Sequence, residues 1–162
     1  MQASRPRPPA EEQARRSGAK EGAARTLAQT AALLGGLTLI AAGVLGFIFG
    51  GSDFNTGSSV QGKEFIVFEV NGWHNIVHLA SGAFLVLMAA KAKSAVTGLL
   101  VFGVVYVVVI VWGFVDGSDI AGLLPVNTAD NWLHVALAVA AIAVALAAGG
   151  LAGSARSDRR GA

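Results

Sequence analysis

The sequence predicts an all-α membrane protein, a polytopic four-helix transmembrane bundle made of two parallel helical-hairpin repeats with both termini cytoplasmic. Three observations predict this fold class. The chain contains four long uncharged runs, its basic residues lie on one side of those runs, and a polar motif occurs twice. Of its 162 residues 54% are hydrophobic and 14% are charged, whereas a soluble domain carries about 25% charge. The mean hydropathy of +0.60 agrees with a membrane protein.

The uncharged runs set the predicted domain boundaries. We expect a disordered basic cytoplasmic tail over residues 1–25, a transmembrane domain over residues 26–151 and a cytoplasmic tail over residues 152–162. A run of about 20 apolar residues is long enough to cross a bilayer, and the first run is too long for the apolar region of a signal peptide. The four spans are expected at about 26–50, 73–90, 96–115 and 132–151.

The distribution of lysine and arginine predicts the orientation. Eleven of the 12 basic residues lie in the two tails and the turn after the second span, and only Lys63 lies in the opposite loops. Cytoplasmic segments carry the excess of basic residues in membrane proteins, so both termini are expected in the cytoplasm and the protein in the plasma membrane. Trp73, Trp112 and Trp132 fall at the predicted outer ends of spans, where amphipathic rings are enriched.

A motif with the pattern V-N-x-x-x-N-x-x-H occurs at Val70–His78 and again at Val126–His134. The two copies are 56 residues apart, and each opens an apolar run. The tripeptide Gly-Ser-Asp also follows both the first and the third span. Two spans per copy return the chain to the side where it started, so the copies predict parallel repeats related by an axis along the membrane normal.

On a helix, the asparagines and the last histidine of each motif lie on one face. We expect this face to point into the bundle, because polar groups facing lipid are costly. Asn71 and Asn127 are also natural N-caps, and Asp130 completes a capping box. The first interpretation is a structural polar cluster that latches helices 2 and 4 near the outer face, in a small structural or accessory membrane component. Its members are Asn71, Asn75, His78, Asn127, Asn131 and His134.

Two cofactor hypotheses use the same residues. His74 and His78 are four residues apart, as are Asp130 and His134, so three imidazoles and a carboxylate could converge on a zinc or iron ion. Alternatively, His78 and His134 lie at equal depth and could be the axial ligands of one haem b. The chain has no cysteine, which excludes disulfides, thiolate metal sites and c-type haem attachment.

Other function classes have less support in the sequence. The spans carry no Asp, Glu, Lys or Arg at mid-membrane depth, so a transporter subunit is a further alternative without a visible ion path. We expect no enzyme, because the spans hold no phosphate loop, Ser-His-acid set or paired carboxylates. The expected partners are the lipid bilayer and a second copy or another membrane protein. No nucleic acid is expected, because the basic residues suit a cytoplasmic membrane face.

The motif letters also carry a family resemblance. The segments Phe68–Leu79 and Asn127–His134 resemble an uncharacterised four-helix bacterial membrane protein family, domain of unknown function 4383. Its N-x-x-H-N-x-x-H block is matched by Asn71, His74, Asn75 and His78. Gly72 stands where this family leads us to expect proline. The resemblance covers roughly residues 27–148 and implies the fold and the membrane location, but no activity.

Overall fold

The computed structural model describes residues 9–149, and these residues are mostly helical. The α-helices of this part of the chain are α1 (Ala10–Phe49), α2 (Gly72–Met88), α3 (Ala92–Asp116) and α4 (Thr128–Ala147). Among residues 9–149, three segments are long and apolar enough to cross a membrane, namely Leu27–Phe49 in α1, and α3 and α4 over their whole lengths. Helix α2 has 17 residues and is the shortest of the four. A multi-pass membrane protein with three candidate spans is therefore the coarse architecture.

Helix α1 begins much earlier than its apolar segment. It starts at Ala10, after Pro9, so the helix includes residues 10–25 of the segment that the sequence predicts to be a disordered tail. Residues 10–25 are rich in Ala, Glu, Gln, Arg and Lys, which have high helix propensity. Extending an existing helix adds one hydrogen bond per residue without a new nucleation cost. The predicted disorder of residues 1–8 and the predicted tail at 152–162 lie outside the described residues.

Each of the two longer connections contains a small antiparallel hairpin that the sequence analysis did not predict. Strands β1 (Lys63–Phe65) and β2 (Phe68–Val70) pair between α1 and α2, and strands β3 (Asp119–Ile120) and β4 (Leu124–Pro125) pair between α3 and α4. The turn of the first hairpin holds Ile66 at φ 65°, and the turn of the second holds Gly122 at the same φ. Strands of two or three residues are too short for an alternating hydrophobic pattern to reveal.

The helices pack most extensively within two pairs, α1 against α2 and α3 against α4. In the first pair the backbones approach closely at two glycines. A Cβ atom on Gly36 would lie 2.7 Å from the carbonyl oxygen of Gly82, and a Cβ on Gly82 would lie 2.6 Å from the oxygen of Gly36. Small residues at such points allow apolar helices to associate by close contact.

At the opposite end from the hairpins, the turn between α2 and α3 is held against α1. Gln29 Nε2 donates a hydrogen bond to the carbonyl oxygen of Ala89 at 3.1 Å. Between this turn and the hairpins, the core is apolar. Its buried members include Leu39, Leu85, Leu99, Phe102 and Ala138. Many other large apolar side chains on the helices are exposed, as expected for surfaces that face lipid.

Two adjacent glycines allow a matched test of the close approach. Gly36→Ala is expected to destabilise the protein by about 1–3 kcal/mol, because the new methyl group would meet backbone atoms of α2. Gly35→Ala is the control, since its Cβ would lie 3.8 Å from Leu85 Cδ1, an ordinary contact. Thermal unfolding in detergent, followed by circular dichroism, measures both. Equal melting temperatures for the two variants would contradict the packing described above.

Candidate functional site

The polar residues of the two motifs collect at the hairpin end of the helices, and the first of them begins α2. Asn71 is the N-cap of α2, and its Oδ1 accepts a hydrogen bond from His74 N at 2.8 Å. Its Nδ2 donates to the carbonyl oxygen of Leu123, in the second hairpin, at 2.8 Å. Asn71 is 1% exposed, so both bonds replace water. One amide therefore starts a helix and joins it to the opposite loop.

Asn127 performs the same two tasks for α4. Its Oδ1 accepts from Asp130 N at 3.0 Å, and Asp130 Oδ2 accepts from Asn127 N at 3.0 Å, which completes the predicted capping box. Asn127 Nδ2 donates to the carbonyl oxygen of Val67, in the first hairpin, at 2.9 Å. Asp130 Oδ2 also accepts from Glu69 N at 2.9 Å. We call the bonds Asn71–Leu123, Asn127–Val67 and Glu69–Asp130 the reciprocal bonds.

The second asparagine of each motif has a different partner from the predicted one. Asn75 Nδ2 donates to the carbonyl oxygen of Gly51 at 2.7 Å, and Asn131 Nδ2 donates to that of Gly113 at 3.1 Å. Thus Asn75 ties α2 to the end of α1, and Asn131 ties α4 to α3. The expectation that these side chains latch α2 to α4 is wrong. The Oδ1 atoms of both side chains are buried, pack against Gly46 and Gly113, and have no hydrogen-bond partner among the described residues.

The side chains of the three histidines of the chain lie close together. One ring nitrogen from each of His74, His78 and His134 lies within 4.8 Å of the others. The ring centroids of His74 and His78 are 4.6 Å apart, and those of His74 and His134 are 6.0 Å apart. Tyr106 of α3 packs edge-on against His134, with the centroids at 5.3 Å. The structure therefore brings together the three imidazoles of the predicted metal set.

Asp130, the fourth member of that set, is not in the group. Its Oδ2 is held by the backbone N–H groups of Glu69 and Asn127, which turns the carboxylate towards the loops. His74 occupies the matching place in the first motif and makes the opposite kind of contact. Its Nδ1 lies 3.1 Å from the carbonyl oxygens of both Glu69 and Pro125. Since carbonyls only accept, Nδ1 carries the proton and Nε2 presents its lone pair.

A cavity of about 20 Å³ lies among the three imidazoles. It is otherwise lined by Tyr106 and by apolar residues: Val77, Val109, Ile120, Leu124 and Val126. Such a volume holds one water molecule or one ion. It gives no slot for a porphyrin between His78 and His134, so the described residues do not fit the haem hypothesis.

Sequence reasoning missed the backbone partners of the polar side chains at this site. The carbonyl oxygens of Leu123, Val67 and Pro125 carry no side-chain signature, and they become visible only with the hairpin geometry. Tyr106 was visible as a lone polar aromatic residue in the third span. Its spacing from His134 along the chain gave no reason to join the two residues.

Two substitutions at Asn71 separate the cap from the cross-hairpin bond. Asn71→Ser keeps an N-cap oxygen but is too short to reach Leu123, so its cost is that of an unpaired, partly buried carbonyl, about 1–3 kcal/mol. Asn71→Ala also loses the cap and is expected to cost about 1 kcal/mol more. Thermal unfolding in detergent gives the melting temperatures of the wild type and the two variants, which should fall in the order wild type, serine variant, alanine variant. If the serine variant were as stable as the wild type, the bond to Leu123 would contribute nothing.

Comparison with known proteins gives a family and no activity. Neither the curated proteins nor the solved structures contain a match to this chain. Residues 29–147 match the family described as Domain of unknown function (DUF4383), and this range covers all of the polar site and most of the helical bundle. The chain therefore belongs to the DUF4383 family, whose function is unknown.

Proposed function

We propose that the protein is a four-span component of the plasma membrane, with both termini cytoplasmic and the two hairpins on the outer face. The three apolar helices account for three crossings. Helix α2 supplies the fourth, because its 17 residues are about 25 Å long and the turn at Lys91 and Lys93 suits the cytoplasmic side. The exposed apolar tip of the first hairpin, at Ile66 and Val67, suits the outer interface.

We further propose that the two halves are repeats. Asn71 and Asn127 are 56 residues apart, and the carbonyls that they bind, those of Leu123 and Val67, are 56 residues apart as well. Ile66 and Gly122, which have the same positive φ, keep that offset too. Two independent segments would have no reason to place caps, acceptors and turn residues at one shared interval.

The absence of cysteine makes the topology directly testable. Ser58 and Ser118 are exposed near the two hairpins, and Lys93 is exposed after α2. In intact cells, Ser58→Cys and Ser118→Cys are expected to react with a membrane-impermeant maleimide, whereas Lys93→Cys reacts only after the cells are opened. Labelling of Lys93→Cys in intact cells would contradict the crossing by α2. The cysteine-free wild type is the background control.

As to its role, we propose a structural or accessory component in which the reciprocal bonds hold the two hairpin repeats as one rigid unit. The observation that carries this proposal is that each capping asparagine, Asn71 or Asn127, also donates a hydrogen bond to a carbonyl of the other repeat. A carbonyl left unpaired near the bilayer costs free energy, so these two hydrogen bonds favour one fixed arrangement of the repeats.

The interior below the site supports this role over that of a transporter subunit or an enzyme. A cavity of about 110 Å³ lies between the helices, and every residue that lines it is of an apolar type. Its lining residues include Leu39, Leu85, Leu99, Phe102, Leu137 and Val144. An ion crossing this region would lose its hydration without gaining a polar ligand.

Purified protein in sealed vesicles tests the role. Vesicles containing the wild type are expected to show the same proton and potassium leak as protein-free vesicles, because the cavity below the histidines is lined by apolar residues. The double variant Asn71→Ser, Asn127→Ser is the comparison, since it loosens the outer end while keeping both caps. A wild-type flux clearly above that of protein-free vesicles would favour the transporter alternative over the structural role.

A further inference from the structure

We propose that His74, His78 and His134 together bind one d¹⁰ transition-metal ion, Zn²⁺ or Cu⁺, through one imidazole nitrogen each. This goes beyond the structural role proposed above. The chain has only three histidines, and all three lie within 4.8 Å of one another by their ring nitrogens. If the histidines only filled space, nothing would require all of them to meet at one point.

The spacing fits a single ion. Three nitrogens at the corners of a triangle with sides of 4.8 Å are each about 2.8 Å from its centre, and zinc–nitrogen bonds are about 2.0–2.1 Å long. Each ring therefore needs to move inward by less than about 1 Å, which small side-chain rotations achieve. The cavity of about 20 Å³ provides the space for that ion.

The hydrogen bonds prepare His74 as a ligand. Two carbonyl oxygens, those of Glu69 and Pro125, fix the proton on Nδ1 and leave the Nε2 lone pair free for an ion. Metal-binding histidines characteristically donate their second ring N–H to a carbonyl or carboxylate in this way. The two carbonyls come from the two hairpins, so the arrangement of both loops orients this ring.

His134 contributes a second, independent observation. The side chain is 4% exposed, and its Nδ1 has no hydrogen-bond partner among residues 9–149. A buried imidazole nitrogen without a partner is unusual, since nearly all buried polar side-chain atoms are paired. A bound ion would give this ring the polar partner that the described residues do not provide.

The donor set selects the class of ion. Three imidazoles suit zinc and copper, whereas Mg²⁺ and Ca²⁺ require oxygen ligands. Asp130, the carboxylate of the predicted metal set, accepts two backbone N–H groups at Oδ2 and does not belong to the histidine group. The small cavity and its apolar lining favour an ion with few ligands, which Cu⁺ accepts and Zn²⁺ satisfies with one added small ligand.

The test uses the full-length protein in detergent with an affinity tag that contains no histidine. Zn²⁺ is titrated in air and Cu⁺ under anaerobic conditions, each against a competing chromophoric chelator. We expect one ion per chain for at least one of the two metals. His78→Ala should weaken that affinity by more than about a hundredfold, which is the upper range for losing a residue that only supports a ligand. Lys93→Ala, at an exposed position at the opposite end of the helices from the cavity, should bind as the wild type does.

Each possible result of these titrations either supports or overturns the metal site. Stoichiometric binding of Zn²⁺ alone, Cu⁺ alone or both, with loss in His78→Ala, supports the site and identifies its metal. No binding of either ion by the wild type, or equal binding by wild type and His78→Ala, overturns it. If His78→Ala does not fold, the wild type still decides: one equivalent of metal should raise its melting temperature, and an unchanged melting temperature with both ions overturns the proposal.

Discussion

Unpaired backbone groups at the start of α2 and α4 impose the constraint on which the rest of the structure depends. A helix begins with N–H groups that have no partner within it, and a short hairpin leaves carbonyls that strand pairing does not use. Near or within a bilayer, water cannot satisfy all of them. Asn71 and Asn127 each bind one N–H of their own helix and one carbonyl of the opposite loop. The helix starts therefore determine how the two halves meet.

The sequence predicts much of this fold, because long uncharged runs and capping residues are local signals. The family membership predicted from the motif letters is confirmed, as is the capping box of Asn127 and Asp130. The carbonyl partners were missed because every residue has a carbonyl, and only the fold selects which one is used. The extension of α1 to Ala10 was missed because polar composition suggests disorder, whereas an adjacent helix supplies the nucleus.

The second asparagine of each motif shows that the sequence can predict a buried polar side chain without predicting its partner. Helical periodicity places Asn75 and Asn131 on an inward face, but it does not say which neighbouring helix that face meets. The space available determines which helix each asparagine contacts. Each side chain packs against a glycine, Gly46 or Gly113, where a larger residue would clash with it. Each amide then donates to a carbonyl of the helix pair to which it already belongs. Polar groups thus stabilise each helix pair from inside, while the caps join the pairs.

The site arises where the two halves differ. His74 and Asp130 hold matching positions, yet the imidazole donates to carbonyls and the carboxylate accepts from N–H groups. A carboxylate at position 74 would face the carbonyls of Glu69 and Pro125 with no proton to share. A histidine at position 130 would bring a fourth ring into a region with space for one ion. The unequal pair therefore leaves three imidazoles around the cavity, while the Asp130 carboxylate is held by two backbone N–H groups beside the loops.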